Sequence, residues 1–246
     1  MRALLILLCG LAMIDAAYAS TDDFHPVQVQ VTWRITINPQ GRVTAMAALP
    51  DKLFDRTPQI RTRLEQAVRS WKFLPGLVDG KPAETQSGLY VSATLTPTSD
   101  TTISIRIDHA NVGPLESRMV PPRYPSDAIR HRKTGQVVLV VAYDTQGRVS
   151  SMKTAEGLPK VDARLIDAAE KATSQLKFEP EIVGGHALAG RAILPYCFTL
   201  QDRLSRHIQG KCDWKPHDNK AAFRNGEYVA LNPAAKLLTD ISGQTL

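Results

Sequence analysis

Aromatic side chains are scarce in this chain of 246 residues, at 6% of the total. Any core must therefore rest on Val, Leu, Ile and Ala. Beyond the first twenty residues no apolar run is long enough to cross a bilayer. There is no Gly-x-Ser-x-Gly, no phosphate-cradling glycine loop and no His-Glu-x-x-His. No catalytic apparatus announces itself and no cofactor is expected. Concentrated charge is missing too. The formal net charge is +6, but the basic residues are scattered, the densest group being Arg123, Arg130, His131, Arg132 and Lys133. Such a surface favours loose contact with polyanions or anionic lipid and does not mark a nucleic-acid binder.

Residues 1–19 stand apart. Arg2 precedes the apolar run Ala3 to Ile14, Asp15 interrupts it, and Ala17-Tyr18-Ala19 fits a small-x-small cleavage pattern. This reads as a secretory signal peptide cut after Ala19; an uncleaved anchor is the alternative. Leucines precede Cys9 where a lipid-attachment site wants a small residue. Export leaves Cys197 and Cys212, an even pair that reads as one disulfide in an oxidising compartment. It closes a loop of about 16 residues, worth on the order of 3 kcal/mol. A competing arrangement is a zinc set of Cys197, His207, Cys212 and His217, although its spacing matches no compact knuckle.

What the chain does have is internal repetition. Gln40-Gly41-Arg42-Val43 returns as Gln146-Gly147-Arg148-Val149, Trp71-Lys72-Phe73-Leu74-Pro75 as Leu176-Lys177-Phe178-Glu179-Pro180, and Gly80 as Gly185. A near-constant offset over three landmarks is the signature of a duplicated unit. It divides the chain into a leader (1–19), a degenerate first unit (20–97), a linker with a short strand (98–117), a second unit (118–203) and an extension (204–246).

Each unit reads as α+β. In the first, Val27 to Ile37 alternates like a half-buried strand, Asn38-Pro39-Gln40-Gly41 is a turn, and Ile60, Leu64, Ala67, Val68 and Trp71 follow helical spacing. In the second, Val137 to Ala142 is apolar on both faces and predicts a central strand. Val161, Leu165, Ala168, Ala169, Ala172 and Leu176 form one helical stripe, and Gly190 to Leu200 reads as the last strand. Ile103, Ile105 and Ile107 alternate in the linker. The last strand, Ala192 to Leu200, matters most for function. A sheet edge with unpaired amides and carbonyls accepts an extended peptide as an added strand, unless the tail, the linker strand or the other unit already fills it.

The second unit resembles the C-terminal domain of TonB-type energy transducers. The residues that carry the likeness are Pro122-x-Tyr124-Pro125-x-x-Ala128, Gly135-Gln136-Val137, Tyr143-Asp144-x-x-Gly147-Arg148-Val149, Ala168-Ala169, Lys177-Phe178-x-Pro180, Gly185 and Pro195-x-x-Phe198-x-Leu200. The resemblance implies two small antiparallel three-stranded sheets, each backed by helix. It implies a periplasmic, Gram-negative setting and strand addition by a segment of an outer-membrane transporter. It places the partner-binding positions at Tyr124, Pro125, Ala192, Ile193, Leu194, Tyr196 and Phe198. A cleavable leader and the lack of a long proline-rich span depart from the transducer plan. The expectation is therefore a non-catalytic module that binds an envelope protein segment. It would hold no metal or cofactor, bind no nucleic acid and insert stably into no membrane; a homodimer is an open arrangement. An anchored transducer, or a zinc or enzymatic protein using the tail, are the alternatives.

Overall fold

The structure is a computed structural model that describes residues 25–51, 57–99, 102–118, 120–156, 158–201, 208–210, 212, 214, 228–241 and 243–246. The leader, its anchor alternative, His207 and His217 lie outside these residues.

Strand β1 (Val27–Ile37) buries Val29, Val31, Trp33, Ile35 and Ile37 on one face. The alternating sequence enforces this, because successive side chains of a strand point to opposite faces. After a turn come β2 (Val43–Ala48) and helix α1 (Pro58–Ser70), which has proline in its first turn. Proline is tolerated there because its missing N–H has no intrahelical partner to lose. Helix α1 buries Ile60, Leu64, Ala67 and Val68. Long β3 (Thr85–Ser99) completes a three-stranded nucleus, with β1 in the middle.

The second unit repeats the plan. It runs α2 (Ser126–Arg130), β6 (Gly135–Tyr143), β7 (Val149–Thr154), α3 (Ala163–Thr173), β8 (Lys177–Glu179) and β9 (Gly190–Phe198). Strand β6 sits between β7 and β9, antiparallel to both. Asp162 caps α3 by accepting the Arg164 amide at 3.1 Å. The helix buries Leu165, Ala169 and Ala172, each 105 residues after Ile60, Leu64 and Ala67.

The expected pair of three-stranded sheets is exceeded on both sides. Between the units run β4 (Thr102–Gly113) and β5 (Leu115–Arg118). The stretch expected to link the units is thus mostly strand: β4 pairs along β3 from Gly88 to Ser99 and becomes a fourth strand. Ile105 and Ile107 enter the first core, which accounts for the alternation read there. In the tail, β10 (Val229–Ala230) pairs with Ala192 and Ile193 of β9, and β11 (Lys236–Leu237) pairs with Phe73 and Leu74 of the first unit.

The units are also stitched together. The hairpin Ile182–Val183/His186–Ala187 of the second unit adds to Gln86 and Thr85 of β3. Strand β5 pairs with β8, and Arg34 of β1 forms an ion pair with Glu179.

The duplication extends to individual hydrogen bonds. Asn38 Oδ1 accepts the amides of Gln40 (3.1 Å) and Arg42 (2.9 Å), and Asp144 Oδ1 accepts those of Gln146 and Arg148, both at 2.9 Å. The Phe73 amide donates to Gly41 O at 3.0 Å, and the Phe178 amide to Gly147 O at 2.9 Å. Both glycines have φ of +75°. A Cβ at either would collide with the carbonyl oxygen of Phe73 or Phe178. The repeated Gly-Arg-Val and Lys-Phe-x-Pro landmarks are two sides of one contact: a turn closed against the chain leaving the helix.

Candidate functional site: the outer edge of the second sheet

The seven predicted partner-binding residues cluster around β9, but their side chains are mostly turned inward. Ala192, Leu194, Tyr196 and Phe198 are all buried in the second core. Tyr196 OH lies 2.9 Å from Thr173 Oγ1 inside that core, and burial raises its phenol pKa. Ile193 lies on the other face, half-buried. Along β9, then, what a partner meets is backbone.

Parity shows which backbone groups face out. The Leu231 amide donates to Arg191 O at 2.9 Å, so the main chain of Arg191, Ile193, Pro195 and Cys197 points away from β6. Strand β10 covers this edge at Ala192 and Ile193. Pro195 has no N–H to offer there. Cys197 is bridged to Cys212, 15 positions later in sequence, with Cα atoms 5.7 Å apart, so the disulfide expectation holds. The zinc alternative loses both thiolates to that bond. Beyond the cystine, the Trp214 amide donates to Gln136 Oε1 at 2.9 Å. The tail thus brackets the edge at both ends, and among the described residues no strand pairs with Leu194–Phe198 on this side.

Tyr124 and Pro125 lie at the Phe198 end. Tyr124 stacks edge-to-face on Phe198 with ring centroids 5.3 Å apart and donates to Lys133 O at 2.6 Å. Pro125 precedes α2 with extended backbone, φ −65° and ψ 133°, and its carbonyl accepts the Ile129 amide at 3.0 Å. Together with Ile129, Arg164 and Lys171 they line an open groove of about 720 Å³ beside α3. The structure therefore joins Tyr124 to Phe198, while Ala192 and Ile193 are joined to the tail instead.

Residues 120–200, which contain all of β6 to β9, match the family described as Gram-negative bacterial TonB protein C-terminal. That stretch belongs to the TonB C-terminal domain family. Two relatives, the Protein TonB of Xanthomonas campestris pv. campestris strains B100 and ATCC 33913, are each 34% identical over 91 residues. The match takes in 37% of this chain and 40% of theirs, so the chain spans well under half of the curated relatives' length. The solution NMR structure of the Pseudomonas aeruginosa TonB C-terminal domain matches at 26% identity, over 37% of this chain and 89% of that one, with a TM-score of 0.31. TonB homologues are envelope-associated proteins of a non-enzymatic, transport-related family.

Sequence reasoning missed the residues that hold the tail to this TonB-type edge. Tyr228, immediately before β10, is half-buried between Tyr90 and Phe178, at centroid distances of 5.4 and 5.6 Å. Tyr90 OH donates to Pro114 O at 2.9 Å, so Tyr228 is the donor in their 2.5 Å hydroxyl contact. Glu181 accepts from Ser87 Oγ of the first unit and from the Ala234 amide of the tail, both at 2.7 Å. The only sequence signal was the short apolar run Tyr228-Val229-Ala230 inside a weakly patterned extension.

Proposed function

We propose that the protein is a non-catalytic periplasmic binding module that takes up an extended segment of an envelope or outer-membrane transport protein by strand addition along β9. The observation that carries the reading is the outward main chain of Arg191, Ile193 and Pro195, in a unit of the TonB C-terminal family, where the one strand paired on this side among the described residues is two residues of the protein's own tail. Peeling Val229–Leu231 from this edge gives up about three backbone hydrogen bonds, each worth roughly 0.5–1.5 kcal/mol net. A guest reaching from Arg191 to Cys197 replaces them. At Pro195 it finds an acceptor and no donor, which limits affinity and disfavours indiscriminate pairing. Tyr124, Pro125 and the basic rim of Arg164 and Lys171 extend the surface past Phe198.

The test is titration calorimetry of the purified protein with peptides from the periplasm-facing plug segments of outer-membrane transporters. Saturable binding that strengthens when residues 228–246 are removed supports the proposal. Absence of binding with and without that segment contradicts it.

A further inference from the structure

We propose that the outer edge of β2, in the first unit, is a self-association edge that pairs antiparallel with β2 of a second copy of this chain about a two-fold axis through Met46. The Leu49 amide donates to Thr32 O at 2.9 Å, and Ala47 and Ala45 face Arg34 and Thr36 across the ladder. Alternation therefore turns the main chain of Thr44, Met46 and Ala48 away from β1. Among the described residues no strand pairs with that side.

The other long edges are managed. On β4, the Ile107 amide donates to Gln244 O and the Leu246 amide to Ile105 O, both at 2.8 Å. On β9, the tail, Pro195 and the cystine occupy the edge. The decisive comparison is β7, which stands 106 residues after β2 and is its copy. Strand β7 reads Val-Ser-Ser-Met-Lys-Thr and β2 reads Val-Thr-Ala-Met-Ala-Ala. Lys153 of β7 is largely exposed and pairs with Glu156 at 3.5 Å. A lysine on an edge strand keeps water there and obstructs pairing. Ala47 stands in its place in β2, which carries no charge, no proline and no glycine.

The sequence around this edge complements itself. Antiparallel pairing centred on Met46 sets Thr44 against Ala48 of the second copy and Met46 against its own mate. This gives about six main-chain hydrogen bonds, two per facing pair. The same register lays exposed Arg42 beside the Pro50–Asp51 segment of the second copy, so opposite charges meet at both ends of the seam. Met46 and Ala48 pack against the first core, so the joined edges prolong one apolar layer. Methionine adapts readily to such a seam.

Light scattering on the purified protein over a concentration series tests this, with Ala47→Lys, Arg42→Asp and the double variant Arg42→Asp/Asp51→Arg. Ala47→Lys installs the residue that the copy already carries in this position, and near-UV circular dichroism verifies that its fold is kept. The expected result is a dimer for the unaltered protein. Its dissociation constant should rise at least tenfold in Ala47→Lys and in Arg42→Asp, and recover in the double variant. A monomer throughout, or a dimer that Ala47→Lys leaves intact, overturns the proposal. An Ala47→Lys-sensitive dimer indifferent to Arg42→Asp overturns the Met46-centred register. A monomer whose Thr44, Met46 and Ala48 amides gain protection only when envelope extract is added gives the edge to a foreign strand and likewise overturns self-pairing.

Discussion

Gly41 and Gly147 explain why the repeat survives in sequence where most of it has drifted. Each occupies left-handed backbone, and each leaves no room for a Cβ against the carbonyl of the phenylalanine that follows its unit's helix. Backbone cannot yield as a flexible side chain can, so the position admits only glycine. Gly147→Ala is expected to destabilise the fold by about 2–4 kcal/mol through combined strain and displacement, measurable as a lowered urea midpoint. Gly185 is a control: it has φ of +83° but open space around it, so Gly185→Ala should cost only about 1 kcal/mol of backbone strain. Glu116 makes a different prediction. Its Oε1 is buried without a hydrogen-bond partner, and burial pushes the carboxyl up to about 8. Burial chiefly, with the Glu116 charge adding to it, raises the phenol pKa values of nearby Tyr90, Tyr196 and Tyr228. A carboxyl that holds its proton more tightly when folded stabilises the fold at low pH and loses that advantage as pH rises. Thermal stability should therefore fall between about pH 4.5 and pH 8, by on the order of a few kcal/mol. Glu116→Gln should flatten that fall; an unchanged pH profile would contradict the assignment.

Secondary-structure elements divide into those written locally and those that depend on distant partners. The alternation of Val29 to Ile37, the stripes of α1 and α3, and the turns at Gln40-Gly41 and Gln146-Gly147 all lie in the sequence because each obeys one short period. The both-faces-apolar run of β6 foretold a central strand, and β7 and β9 do flank it. Strand β4 was visible as an alternating isoleucine pattern, but its partner was not, since nothing local says which edge it joins. Strands β10 and β11 were illegible: two residues show no period, and their placement comes from Tyr228 and from pairing with residues far back in the chain. The site was legible to the same degree. The resemblance grouped Tyr124 and Pro125 with the last strand as partner-binding positions, but the Tyr124–Phe198 contact and the burial of Leu194, Tyr196 and Phe198 follow from packing on the α3 side of the sheet. The cystine belongs at this scale. Removing it with Cys197→Ser/Cys212→Ser should lower stability by about 3 kcal/mol, read from the denaturation midpoint. Limited proteolysis should then cut beyond Leu200 sooner than in the parent protein.

Across the whole molecule, two copies of one α+β unit have become a single connected structure. A hairpin from the second copy extends the first sheet, the extension returns to Phe73 and Leu74, and Glu181 gathers donors from the first unit and the tail. Burial raises the Glu181 pKa even against those hydrogen bonds, so this junction holds a carboxyl at a cost that its donors offset. The design closes most sheet borders with the protein's own chain. Among the described residues the TonB-type border is closed by two paired residues, a cystine and the Trp214–Gln136 contact. The most direct measurement is amide hydrogen exchange by NMR at Arg191 and Ile193, with and without a transporter plug peptide, in the intact protein and in one lacking residues 228–246. Truncation should speed exchange at Ile193, whose amide faces the tail strand, and the peptide should restore protection there and add it at Arg191, whose carbonyl alone the tail engages. Exchange at these two amides that the peptide leaves unchanged in both proteins would contradict strand addition along β9.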